Sequence, residues 1–159
     1  MNTNSLKRFA TVARNLLMQG VRNRIEAVGF NDDGSVRVEP KASGNSAIFD
    51  GQVINDSRFV ARWNALRDRI ASHGVKEVVE EAAYTWFNRL MAIRILEYNS
   101  LAPALLDYEN PEIRIPRIVT DARAGKTPVL SDEDRASLDA VIGDGRLSFE
   151  QFSLLIRAY

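Results

Sequence analysis

The chain has 159 residues, 45% hydrophobic and 26% charged, the make-up of one folded domain with a core of its own. It contains no cysteine and a single histidine, His73, which excludes disulfides, thiolate metal sites, cysteine nucleophiles and zinc sites of the usual kind. Formal net charge is zero, but the signs are unevenly spread: Lys7, Arg8, Arg14, Arg22 and Arg24 face only Glu26 in residues 1–27, and Asp132, Glu133, Asp134, Asp139, Asp144 and Glu150 dominate residues 131–150. Residues 58–76 repeat the basic bias with Arg58, Arg62, Arg67, Arg69 and Lys76 against Asp68. A basic front and an acidic back suit a nucleic-acid-facing side, although charged helix faces also keep ordinary helices soluble.

The first predicted helix starts at Asn4 or Ser5 as N-cap, runs to about Val28 and stops at Gly29. Leu6, Phe9, Ala13, Leu16, Leu17, Val21, Ile25 and Val28 read as one continuous apolar stripe, which leaves the basic residues exposed. A solvated face is the plainer reading of those cations, and contact with DNA phosphates is the functional one. Arg14 also interrupts the only early apolar run, so no secretory signal is visible and a cytoplasmic location is expected.

From Asn31 to Asp56 the pattern shortens. Asn31-Asp32-Asp33-Gly34 is turn chemistry, Val36 to Glu39 alternates like a strand ended by Pro40, and Ser43-Gly44-Asn45-Ser46 is a second turn. Ala47-Ile48-Phe49 and Gln52-Val53-Ile54, split by Asp50-Gly51, predict a small hairpin. The Ser43-Gly44-Asn45 stretch lacks the spacing and lysine of a P-loop, so it reads as a turn. Ser57 is the expected cap of a second helix with Phe59, Trp63, Leu66 and Ile70 on its apolar face, and His73-Gly74 ends it. His73 has no assignable partner carboxylate or nucleophile and reads as part of a helix end.

The central helix covers Val78 to Asn99, close enough to the second to form a tight hairpin with it. Val79, Ala83, Trp86, Leu90 and Ile93 recur three or four apart, with Val78, Ala82, Phe87, Met91 and Ile95 widening the face. Trp63, Trp86, Phe87 and Leu90 are therefore the expected structural core. Any of Thr85, Asn88, Arg89, Arg94 and Glu97 that faces inward needs a hydrogen-bond partner from another segment. The helix is not a membrane span, because Glu80, Glu81, Arg89 and Arg94 break every window of about 20 apolar residues. An acidic first turn at Glu77, Glu80 and Glu81 is explained by the helix dipole without catalysis.

Pro103, Pro111, Pro116 and Gly125 leave room only for short helical turns between Leu101 and Pro128, with a strand-like fragment at Glu112 to Pro116. Ser131 opens a further helix whose apolar face is Leu138, Val141 and Ile142, and Gly143-Asp144-Gly145 breaks it. Ser148 caps a last helix through Phe149, Phe152, Leu155 and Ile156, whose apolar period still runs at Tyr159, as in a chain cut short. Placing Gly145 at the sixth position of a calcium loop puts Ala140, Ile142 and Gln151 at ligand positions one, three and twelve, which excludes an EF-hand.

The run Ala83-Tyr84-Thr85-Trp86-Phe87-Asn88-Arg89-Leu90, followed by Ala92-Ile93-Arg94, Glu97 and Asn99, resembles the signature near the start of the PglX family. These are the adenine-specific DNA methyltransferases of bacterial BREX phage-resistance systems. The opening Met1-Asn2-Thr3-Asn4 and its basic helix resemble the start of that family too. Its members are many times longer, so the resemblance implies an amino-terminal piece. It also implies S-adenosylmethionine as cofactor, and DNA and other proteins of the defence system as partners, for the parent protein. The adenine-holding Pro-Pro-aromatic motif and the glycine-rich turn for that cofactor do not occur here, since each proline is isolated. The expectation is one mainly α-helical domain over 1–159, about five helices with a small β excursion near 35–55, carrying no cofactor, metal or catalytic residue of its own. Its role is scaffolding with DNA or partner contact through Lys7, Arg8, Arg14, Arg22 and Arg24; the alternative is a stand-alone helical protein-interaction module.

Overall fold

A computed structural model describes residues 3–108, 110, 112, 114–126, 130–143 and 148–158. The architecture is mainly α. In chain order the described elements are α1 (Thr3–Ala27), β1 (Lys41–Ser43), β2 (Ser46–Phe49), β3 (Gln52–Ile54), α2 (Phe59–His73), α3 (Val75–Tyr98), α4 (Arg117–Arg123), α5 (Asp132–Gly143) and α6 (Ser148–Ala158). They fall into two compact units, Met1–Phe87 and Asn88–Tyr159, with α3 giving its first half to one and its second half to the other. The expected break at Asp144-Gly145, the Ile113 part of the strand-like fragment and Tyr159 lie outside the described residues, as do the side chains of Leu6, Val141, Ile142 and Phe149.

The core of the first unit is Ile25, Phe30, Trp63, Ile70, Val78 and Val79, with Met18, Val21, Val28, Leu66 and Val75 packed on it. Trp63 is its centre: its ring stacks on Phe30 with centroids 5.0 Å apart, and its indole N–H donates to the Val28 carbonyl at 2.7 Å. That bond satisfies a carbonyl left open where α1 ends. The α1 stripe is buried only toward its end. Ile25 is in the core and Leu17, Val21 and Val28 are half-buried, whereas Phe9 and Leu16 are 51% and 69% exposed. At about 100° per residue the stripe drifts round the helix, so Phe9 and Leu16 come to lie about 180° from Ile25.

The β excursion forms as a three-stranded antiparallel meander, β1-β2-β3, with Ala47 opposite Ile54 and Ile48 opposite Val53. The hairpin turn at Asp50-Gly51 has positive φ at both residues, 48° and 77°, the type I′ geometry that suits strand twist. The first strand, however, is Lys41–Ser43 rather than 36–39. Gly29 is the reason. Its φ of 97° turns the chain back, and its carbonyl takes the amides of both Arg37 and Val38, at 2.7 and 3.1 Å, so neither joins a ladder. Val36 makes only an isolated bridge to Phe30. Ala47 is fully buried, and Phe49 meets Phe59 of α2 at 5.6 Å, fastening the sheet to α2.

Ser57 does not cap α2. No side chain caps it; the turn before the helix is held by Asp56, whose carboxylate accepts the Arg58 amide at 3.0 Å and whose carbonyl accepts the Phe59 amide at 3.1 Å. Gly74, φ 81°, ends α2 and α3 begins at the next residue, as the glycine signal predicts. Helix α3 ends in a Schellman motif: Leu101 donates to the Leu96 carbonyl at 2.9 Å and Ser100 to Glu97 at 3.0 Å, with Ser100 at φ 58° where glycine is usual.

In the second unit α4 and α5 pack on α6. Ile93, Leu105, Ile118, Val119, Leu138, Leu155 and Ile156 are the most deeply buried of its described apolar residues, each 4% exposed or less. Among the described residues, the 101–116 connection carries an Arg114 φ of 50° and one bridge, Tyr108 to Pro116, rather than a strand. Ser131 caps α5 as expected, its hydroxyl accepting the Asp134 amide at 3.1 Å and donating to that carboxylate at 2.7 Å.

Candidate functional site

The five α1 cations are all exposed, but they do not form one row. At about 100° per residue, Lys7, Arg8, Arg14 and Arg22 share about 120° of the helix circumference, and Arg24 lies on the other side. That shared face is the amino-terminal continuation of the one that enters the core from Met18 onward. Arg14 reaches Glu80 of α3 at 3.7 Å, a distance and exposure at which an ion pair adds little stability yet dilutes the local field. Among the described residues no ion pair engages Lys7, Arg8 or Arg22, and together they span about 22 Å of helix.

The basic run of α2 is largely neutralised in place. Arg62 pairs with Asp56 and Arg69 with Glu81, and Arg67 pairs with Asp68 at 3.0 Å while covering the Trp63 ring at 5.8 Å. Its cations therefore shield the first unit's core more than they offer a free charged face.

On α3 the structure separates what sequence reading left together. Trp63 on α2 is 4% exposed and lies in the core, whereas Trp86, Phe87 and Leu90 are half-buried. Thr85 bonds back to the Glu81 carbonyl at 2.9 Å. Asn88 and Arg89 are exposed. Glu97 faces inward, its side chain 7% exposed, and meets the requirement for partners: one oxygen takes Arg94 at 2.8 Å and the other the Leu106 amide at 2.8 Å. Arg94 bridges on to Asp107 at 2.7 Å, and the Asp107 carboxylate holds its guanidinium above its ordinary range. Asn99 donates to the Ile95 carbonyl at 2.7 Å.

Arg94, Glu97 and Asn99 of the signature thus fasten the end of α3 and the segment after it. A shallow groove of about 390 Å³ lies beside them, lined by Arg94, Glu97, Tyr98, Ala104 and Asp107. Its charges already pair with one another. Sequence reading named Arg94 and Glu97 as polar residues in need of partners; Asp107, which completes the set, gave no signal because it reaches them across a turn.

Among the described residues no group of three or more His, Cys, Asp or Glu side chains converges as a metal site. No described helix is long and apolar enough to cross a membrane.

Two curated proteins match the chain. The adenine-specific methyltransferase PglX of Lacticaseibacillus casei (strain Zhang) is 29% identical over 133 residues, 77% of this chain and 11% of that protein. The adenine-specific methyltransferase BrxX of Escherichia coli O9:H4 (strain HS) is 33% identical over 99 residues, 61% of this chain and 8% of that protein. This chain resembles the PglX methyltransferases. The chain spans about a tenth of the length of these relatives. No family model matches the PglX-like chain, and neither does any solved structure.

Proposed function

We propose that the chain is the amino-terminal, non-catalytic helical region of a longer BREX-type adenine-specific DNA methyltransferase. It supplies scaffolding together with DNA or partner contacts, in the cytoplasm. The observation that carries this reading is the match to two adenine-specific methyltransferases over most of this chain and about a tenth of theirs. The absence from the sequence of a Pro-Pro-aromatic motif and of a glycine-rich cofactor turn assigns cofactor binding and methyl transfer to the remainder of such a protein. Calorimetry of the chain with S-adenosylmethionine tests it: no heat of binding is expected, and micromolar affinity overturns the division of labour.

A second reading is a stand-alone protein-interaction module, favoured by Phe9, Val12 and Leu16, all more than half exposed on one face of α1. The parent reading frame separates the two. Continuation into a Pro-Pro-aromatic motif supports the methyltransferase reading, and a stop codon directly after Tyr159 removes it.

A further inference from the structure

The groove at the end of α3 lies wholly within the second unit, and its own contacts leave it unfinished. Arg94 and Tyr98 stand one turn apart on α3, and Ala104 and Asp107 line the groove from the segment that follows. Glu97 is spent: its side chain is 7% exposed and both its oxygens have donors. The other polar groups are half used. Arg94 meets Glu97 and Asp107 through Nη1 alone, which leaves its Nη2 and Nε donors without a partner among the described residues. Asp107 gives Oδ1 to that bond, and its Oδ2 accepts from none of them. Tyr98, 91% exposed, offers a bare ring.

Neither kind of ion suits such a groove. Two carboxylates against one guanidinium leave one net negative charge, which repels an anion, and an incoming cation meets the open side of Arg94. What fits is neutral and planar, with a donor for Asp107 beside an acceptor for Arg94 and a flat face for the Tyr98 ring. A nucleobase out of its stack has all three, since bases stack on aromatic side chains and carry donors and acceptors side by side along their edges. A cation for its phosphate starts close by. Arg117 donates its amide to the Asp107 carbonyl at 2.8 Å, and its half-exposed guanidinium is held only by Asp121 at 3.7 Å.

We propose that this groove takes one unstacked base of single-stranded nucleic acid, its face on Tyr98, its edge between Asp107 and the open donors of Arg94, and its phosphate on Arg117. The inference deepens the DNA contact proposed above and rests on that reading for the class of partner.

Fluorescence anisotropy of the full chain with a labelled single strand of about ten nucleotides, and with an abasic strand of the same length, tests this. The strand with bases should bind more tightly by about 5-fold or more, the least that one stacked base contributes, and Tyr98→Ala should remove the difference. Asp107→Ala separates base from phosphate by its sign. It removes a negative charge, so it tightens a contact made to phosphate alone and weakens one in which the carboxylate accepts from the base. Tyr98 is 91% and the Asp107 side chain 57% exposed, so both variants keep the fold, checked by an unchanged melting temperature. Equal affinity for the two strands, no binding of either, or a variant that binds the base-bearing strand as tightly as the wild type or more so overturns the inference. A duplex of the same sequence hides its base faces and should be indifferent to Tyr98→Ala, so failure here leaves the α1 contact, read on duplex with Lys7, Arg8 and Arg22, as it was.

Discussion

Replacing Trp63 by Ala and by Phe separates the two things its side chain does. Truncation to Ala removes the ring stacked on Phe30 and the Val28 hydrogen bond together, from a site 4% exposed, and should cost about 3–5 kcal/mol. Phenylalanine keeps most of the stacking but leaves the Val28 carbonyl without its donor, a loss of about 1–3 kcal/mol. Trp86, half-buried on α3, should lose about 1–2 kcal/mol on truncation to Ala, since less of its area leaves water. For a unit of 87 residues each kcal/mol lowers the melting temperature by about 4 °C or more, so Trp63→Ala should fall by at least about 12 °C. Thermal melts followed by far-ultraviolet circular dichroism measure all three variants. The reasoning fails if Trp86→Ala is the more damaging, or if Trp63→Phe melts with the wild type.

Three further outcomes follow from local geometry. Ser100→Gly removes a non-glycine residue from the left-handed end of α3 and should stabilise the second unit by about 0.5–1 kcal/mol, read as a rise in urea midpoint at constant slope. Gly29→Ala sets a methyl 2.4 Å from the Val38 carbonyl at a φ of 97°, and should cost more than about 2 kcal/mol by the same measurement. For DNA, charge reversal of Lys7, Arg8 and Arg22 to Glu should weaken duplex binding equally on all sequences and flatten its salt dependence. Arg14→Glu should do less because Glu80 already shares its charge. Equal affinities and salt slopes for all variants would exclude α1 as the contact.

Most helices were legible because their signals are local. Apolar spacing marked α1 to α3, Gly74 and Ser131 marked ends, and Asp50-Gly51 marked the hairpin turn with the geometry it adopts. The errors share a cause. The strand expected at 36–39 has the right alternation but loses its amides to Gly29, eight and nine residues earlier, and Ser57 makes no cap because its neighbour Asp56 holds the turn before α2. Neither competition is visible in spacing. The candidate site was legible as charge and signature only. That Arg14 meets Glu80, or that Arg94 joins Glu97 to Asp107, depends on which faces fold together. The amino-terminal half of α1 misled because an apolar period says that a face exists, not that this chain covers it.

Ala47 has a consequence for how this fold can change. It is fully buried in the middle strand of the meander, where a larger side chain would have to displace its neighbours, while a few residues before it Gly44 and Asn45 stand in solvent with nothing within 4 Å of a side chain at Gly44. Length is therefore free at that tip and added volume is costly beside it. A peptide tag or fluorophore loop spliced between Gly44 and Asn45 would ride outside the first unit, leaving the β2–β3 hairpin and its seat on α2 as they are.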